Sequence, residues 1–307
     1  MTLYTIDEKR QAKREKARRN AKRHFLRHFK DFAPGKNYVY GKHTLAIIAS
    51  LQTICEDLER GISSYTVYNI PYRHGKTDKV GVAFPPWALV RNPDWEFILG
   101  GYNQNLAAKI SYKARERFYR YAPQYGLTVA SDKAAVTAWK IQDHKGAIYA
   151  TGMSGGIAGQ GGDVIIIDDP YKNREEAESE LIRNKVWDGF RSDLMTRRAP
   201  ACAVIIVMHR WHEDDICGRI ININDPDHVT YDPKFPKFNI IKFPAQNPDG
   251  TWLFPERFSN EWYEESKALL GTYAWNALGL QDPKPRVGKL LREHSFGFTP
   301  LRVLHIE

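Results

Sequence analysis

Apolar residues recur along this chain in two alternating rhythms. Leu45, Ile48, Leu51, Ile54, Cys55 and Leu58 fall three or four positions apart, which predicts a helix over 45–60 stopped by Gly61. Short apolar or β-branched runs then predict strands at Tyr65–Ile70 and Glu96–Gly101, with a helix over Leu106–Tyr121 after them. Residues 135–141 and 147–150 predict two short strands that pair. Val164–Ile167 and Ala203–Met208 are apolar without alternation, the pattern of strands buried on both faces. Strands alternating with helices predict an α/β fold: a mainly parallel central sheet flanked by helices, with ligands at the carboxyl ends of the strands.

The two ends read differently. Residues 7–30 lack Pro and Gly and predict one helix, polar at first and then striped by Phe25, Leu26 and Phe29, with Pro34-Gly35 as its stop. From about Tyr231 the texture turns to Pro and aromatic residues, as in KFPKFNIIKFPAQNPDGTWLFPERF. The expected division is a helical arm over 1–34, the α/β domain over 35–230 and a C-terminal subdomain over 231–307.

Composition narrows the class. With 42% hydrophobic and 26% charged residues, the chain has the make-up of a globular protein and not of a disordered one. Its longest apolar runs fall far short of the roughly 20 residues that span a bilayer, and the N-terminus has no apolar core of a signal peptide. Three cysteines without paired spacing fit a reducing compartment. These features predict an intracellular protein with no membrane association. The net charge of +9 is concentrated: residues 1–30 carry eleven Lys/Arg against three acids, and the rest of the chain carries 34 against 33. The basicity belongs to the arm, which is expected to meet nucleic acid or an acidic partner.

Three segments carry chemistry. The strand Tyr65–Ile70 runs into PYRHGKT, Pro71–Thr77. Gly-Lys-Thr after a strand and before a helix is the working end of a Walker A phosphate loop. Gly75 allows close backbone approach, Lys76 reaches the β- and γ-phosphates of ATP, and the Thr77 hydroxyl is a ligand for Mg²⁺. The usual first Gly is missing, because Ile70 stands there. About ninety residues on, DVIIIDDP ends a buried strand in Asp168 and Asp169, as a Walker B segment does. Buried carboxylates must be paired or metal-bound, so Asp168 is expected to hold Mg²⁺ and Asp169 to orient or deprotonate the attacking water. The third strand leaves into HRWHEDD, where His209 and Arg210 are candidates to sense the γ-phosphate. A zinc reading of that segment fails because Ile216 stands where H-E-x-x-H needs its second His. Glu175 and Glu176 are fallback bases, but Asn173 with Glu176 reads more simply as a capping box.

These elements, in this order, resemble the ATPase half of the large terminase subunit of tailed phages and proviruses. LERGISSYTVYNIPYRHGKT is similar to the stretch entering that family's P-P-R-H-G-K-[ST] motif. GGYNQNLAAKISYKARERF is similar to its Tyr-containing strand and helix, and GGIAGQGGDVIIIDDPYKNREEAES to its Gly-rich loop and Asp-Asp-Pro motif. VIIVMHRWHEDDICGRI resembles its Thr-Arg-Trp-His-Glu-Asp-Asp segment, and LFPERFSNEWYEESKALLGTYAWNALGLQDP the stretch that links to its nuclease. The resemblance runs from about Tyr38 to Leu291. It implies a P-loop NTPase in which Arg73, His74, Gly75, Lys76 and Thr77 form the nucleotide loop, Thr77 and Asp168 hold Mg²⁺, and Asp169 is the catalytic carboxylate where many relatives have Glu. It also implies an adenine contact near Tyr40 and His43.

Two departures bear on catalysis. Gln160 stands where the family usually has an Arg suited to reach a neighbour's ATP, and His209 stands where it has Thr. Arg197, just before the third strand, is then the candidate finger, with Arg73 as a finger acting in cis. The resemblance implies an ATP-hydrolysing DNA-packaging motor: a homo-oligomeric ring in the host cytoplasm, working with double-stranded DNA, a portal protein and a small terminase subunit. The rival is a non-hydrolysing nucleotide- or DNA-binding assembly protein, for which the missing loop Gly and Gln160 speak. After Leu291 the only acids are Glu293 and Glu307. A two-metal nuclease site needs several converging carboxylates, so the chain is expected to hydrolyse ATP without cutting DNA.

Overall fold

The polar arm and the apolar stripe behind it become two helices, α1 (Ile6–Arg23) and α2 (Phe25–Phe32), in a computed structural model that describes residues 6–32, 38–156 and 159–285. The single helix expected over 7–30 is interrupted at His24. Packing explains the break: Phe25 and Phe29 are fully buried, and Phe25 lies 5.8 Å from Phe84 and 4.9 Å from Trp87 between ring centroids. The Trp87 indole donates to Ala21 O at 3.1 Å and the Tyr125 hydroxyl to Arg18 O at 2.7 Å, so the arm is docked from Arg18 onward. Pro34-Gly35 lies outside the described residues.

The core elements follow in chain order: α3 (Lys42–Glu59), β1 (Ser64–Asn69), a π-helical turn Asp78–Ala83, α4 (Phe84–Arg91), β2 (Glu96–Gly101) and α5 (Gln104–Tyr121). Next come β3 (Val129–Ala135), β4 (Ala138–Ile141), β5 (Ala147–Gly152), β6 (Gly162–Asp168), α6 (Arg174–Glu178), α7 (Glu180–Asp188), β7 (Arg198–Met208) and α8 (Ile216–Asn224). The strand expected over 135–141 spans a hairpin instead, because Val136 and Thr137 form the turn between β3 and β4. The capping reading holds at α6, where the Asn173 side chain accepts from Glu176 N–H at 3.0 Å.

Eight strands form one sheet in the order β3-β4-β5-β2-β6-β7-β1-β8, where β8 is Asn239–Lys242. The sheet is parallel from β5 to β8, and β3 and β4 are antiparallel additions. Alternate residues of β6 and β7 enter opposite cores: Ile166, Ile205 and Val207 face α3, α4 and α5, whereas Ile165, Ile167, Val204 and Ile206 face α7 and α8. Each such buried side chain contributes about 1.5–3 kcal/mol, which holds the central strands in register. Asn69 pairs with Met208 and Asp168 with Val207, so the carboxyl ends of β1, β7 and β6 reach one level.

β8 lies beyond the boundary expected at residue 230, yet it pairs with β1 and is the last strand of the sheet among the described residues. A separate small cluster of Ala245, Tyr263 and Trp275 begins after it, on α9 (Asn260–Ala274) and its flanks. There the Trp252 and Tyr263 rings stack 4.4 Å apart. Among the described residues no helix is long and apolar enough to cross a membrane.

Candidate active site

The loop after β1 is shaped by two left-handed residues, Arg73 (φ 64°) and Gly75 (φ 74°). Gly adopts that region freely, whereas Arg in it is costly by about 1–2 kcal/mol, so the surroundings must hold Arg73 there. They do so through His74, which is buried. Its Nδ1–H donates to Tyr72 O at 2.7 Å, and its Nε2 accepts from the Tyr263 hydroxyl at 2.8 Å, which in turn accepts from Phe254 N–H at 3.1 Å. That order of donors needs a neutral ring, and burial lowers the His74 pKa to about 4. His74 O accepts from His43 Nε2 at 3.2 Å and from Lys79 Nζ at 3.0 Å.

Lys76, Asp169 and His209 meet at the level where β1, β6 and β7 end. Lys76 Nζ lies 2.9 Å from Asp169 Oδ2 and donates to His209 Nδ1 at 3.2 Å. Asp169 Oδ1 is also 3.5 Å from that nitrogen. An ion pair there would need a protonated imidazole, but burial and the Lys76 charge lower the His209 pKa to about 4. His209 is therefore a neutral acceptor from Lys76, and Asp169 Oδ1 is left without a hydrogen-bond partner. Asp169 itself is left-handed (φ 47°), with its N–H donating to Val207 O at 3.0 Å and its carbonyl accepting from Tyr102 N–H at 3.1 Å. Two backbone bonds thus fix a strained residue whose carboxylate faces the loop lysine.

Asp168, 1% exposed, accepts from the Thr77 hydroxyl at 3.1 Å through Oδ1, and its Oδ2 is buried without a partner. Burial, reinforced by the adjacent Asp169 charge, pushes its pKa up to about 7. An orphaned buried carboxylate oxygen beside a threonine hydroxyl fits a divalent cation. Among the described residues no three His, Cys, Asp or Glu converge on one point. Mg²⁺ needs no such cage, since one or two protein oxygens with phosphate and water suffice. Thr77 and Asp168 would hold it.

The other expected site residues lie elsewhere. His43 is 1% exposed, its ring 4.7 Å from Phe254 and 5.7 Å from His74, so it braces the loop from below and has no path to a base. Tyr40 packs on Tyr38 and Phe29, with Lys30 Nζ 5.8 Å above its ring. Arg73 does lie in the loop, and its side chain is exposed. Arg210 is no sensor: it is 6% exposed and its Nε bonds both oxygens of Asp215 at 2.9 Å. Asp215 also caps α8, and Asp214 pairs with Arg183 and Arg219. Arg197 and Gln160 flank the opposite edge, since Arg198 pairs with Gly162, six residues back along β6 from Asp168. That is about 20 Å at 3.3 Å per residue, so neither joins the site within one chain. Lys79 and Tyr263 were not singled out in the sequence. Lys79 is legible as the residue one helical turn after Gly75, whereas Tyr263 carries no local signal.

The terminase large subunit family, T4likevirus-type, N-terminal, matches residues 67–277, most of the chain. No curated protein sequence matches. Among solved structures, the chain is similar to the HK97 bacteriophage large terminase at 11% identity and a TM-score of 0.53, covering 81% of this chain and 52% of that one. It is also similar to the Thermus phage P74-26 large terminase ATPase domain (14% identity, TM-score 0.46, 74% of this chain and 91% of that one). A third similar structure is the large terminase of a thermophilic bacteriophage in complex with ATP-gamma-S (13% identity, TM-score 0.44, 80% and 53%). The chain spans about half the length of the HK97 protein, and that likeness establishes the fold alone.

Proposed function

We propose, since the chain belongs to the terminase large subunit family (T4likevirus-type, N-terminal), that it hydrolyses ATP to drive double-stranded DNA into a viral procapsid. The observation that carries the reading is the convergence of Lys76, Thr77, Asp168 and Asp169 where β1 and β6 end. A phosphate entering the loop competes with Asp169 for Lys76, and the released carboxylate, with Oδ1 already unpartnered, is placed to orient and deprotonate a water. His209, neutral and bonded to Lys76, registers that exchange at the end of β7. Mg²⁺, when bound, supplies charge neutralisation on the phosphate oxygens.

The expected setting is a homo-oligomeric ring at the portal in the host cytoplasm, with a small terminase subunit as partner. Gln160 and Arg197, remote from the site of their own chain, are then available to a neighbour's nucleotide. Lys13, Arg14, Lys16, Arg19, Lys22 and Arg23, all exposed along α1, form the surface offered to DNA phosphates. The test is phosphate release from MgATP, with Lys76→Ala as control. Turnover lost in the variant supports hydrolysis. Tight ATP binding without turnover by the unaltered protein would favour the rival reading as an assembly protein.

A further inference from the structure

Lys79 is a charged residue at the heart of the molecule, 1% exposed, and among the described residues it forms no ion pair with a carboxylate. Its ammonium group instead donates to two carbonyls of the loop, His74 O and Gly75 O, each at 3.0 Å. A buried amine is costly unless its donors are used, and here the two carbonyls use them. The space is fitted to it: a Cβ on Gly75 would lie 2.6 Å from Lys79 Nζ.

We infer that Lys79 is a positioning residue of the nucleotide loop, holding two peptide planes so that their amides face the phosphates. The inference rests on the nucleotide reading above and adds a residue to it. In a trans peptide the C=O and N–H point in opposite directions. The carbonyl of His74 shares its plane with the N–H of Gly75, and the carbonyl of Gly75 shares its plane with the N–H of Lys76. Drawing both carbonyls inward onto one ammonium therefore turns both N–H groups outward, the arrangement that cradles an anion. His43 Nε2, also on His74 O, reinforces the first plane at 3.2 Å. The missing first Gly of the motif, where Ile70 stands, leaves fewer glycine-permitted turns to shape the loop, and Lys79 supplies the constraint from beneath.

The test uses Lys79→Met, which keeps the length of the side chain and removes its donors, and Lys79→Gln, which keeps one donor group. Binding of inorganic triphosphate is measured by calorimetry, MgATP turnover by phosphate release, and amide exchange of residues 74–77 by hydrogen–deuterium exchange. Bonds to charged groups of this kind are worth roughly 10- to 100-fold in affinity. Triphosphate binding by Lys79→Met is expected to weaken by that factor, with Lys79→Gln in between. KM for ATP should rise more than kcat falls. The slowing of exchange at Gly75 and Lys76 that saturating triphosphate brings should be lost or reduced in Lys79→Met, while β1, β6 and β7 stay as protected as before. Unchanged triphosphate affinity with unchanged loop exchange would overturn the inference. If Lys79→Met fails to fold, Lys79→Gln decides by the same readings. If the unaltered protein binds neither triphosphate nor ATP, the nucleotide reading falls, and the backbone amide chemical shifts of residues 74–77 decide whether Lys79 positions these planes: shifts unchanged in Lys79→Met would overturn it.

Discussion

Replacing Asp168 by Asn should stabilise this protein progressively, relative to the unaltered chain, as the pH rises. Burial and the neighbouring Asp169 push the Asp168 pKa from an ordinary 3.8 up to about 7. Between those values the native state holds a proton that the unfolded chain has released. The stability due to this group is therefore full below about pH 4 and is lost as pH rises to about 7, at about 1.4 kcal/mol per pH unit. Asn cannot ionise. It keeps an oxygen for the Thr77 hydroxyl, which Asp168 now accepts at 3.1 Å, and its unpartnered amide adds a constant penalty of about 1–3 kcal/mol. From pH 5 to pH 8 the balance should shift toward the variant by about 3 kcal/mol. In a chain of this size that is a swing of about 6 °C in the difference between the two melting temperatures. Calorimetric melts at pH 5, 6, 7 and 8, without nucleotide or divalent cation, measure it. A difference that stays flat with pH would show that Asp168 carries no such charge penalty.

Three further outcomes are expected. Asp169→Asn should still bind MgATP but lose turnover; phosphate release at the unaltered rate would remove Asp169 from the role of base. Phe25→Ala should destabilise the fold by about 3–5 kcal/mol, read as a fall of about 6–10 °C in melting temperature, and an unchanged melt would mean that α2 is not part of the core. Replacing Arg19, Lys22 and Arg23 together by Ala should leave the melt within about 2 °C and reduce the salt slope of duplex DNA binding by up to about 2.7. An unchanged slope would take α1 out of the DNA interface. These charge substitutions are a cleaner probe than removing residues 1–30, because that deletion strips the fully buried Phe25 and Phe29 from the core.

Local composition revealed the parts of the fold that follow a short-range rule. Val164–Ile167 and Ala203–Met208 have the pattern of strands covered on both sides, and both cores claim alternate residues from them. Gly-Lys-Thr and Asp-Asp mark the site because each needs its own backbone setting: Gly75 at φ 74° and Asp169 at φ 47°. What escaped depends on distant contacts. Asn239–Lys242 looks like one more piece of the Pro-rich tail until β1 offers it a free edge. Residues 7–30 read as one helix because nothing near His24 announces the aromatic pocket of Phe84 and Trp87 that α2 turns to fill. The family resemblance implies an adenine contact near His43, but its partners are a loop carbonyl and Phe254, some two hundred residues away in sequence.

The two margins of the sheet decide how copies of this molecule can associate. On one side β3 carries exposed Asp132 and Lys133 and slips register between Val129 and Ala134. On the other, β8 is only four residues long, exposes Asn239 and Lys242 at its ends, and is followed at once by Phe243 and Pro244. Charge, a bulge, shortness and a nearby proline are the devices that deny an incoming strand its ladder of backbone bonds. Among the described residues, both margins thus oppose extension of the sheet from one chain to the next. Copies that associate as proposed would then meet through side chains on helices and loops. Such contacts can slide or rock by a few ångströms and re-form, whereas a shared ladder would lock every subunit to one angle.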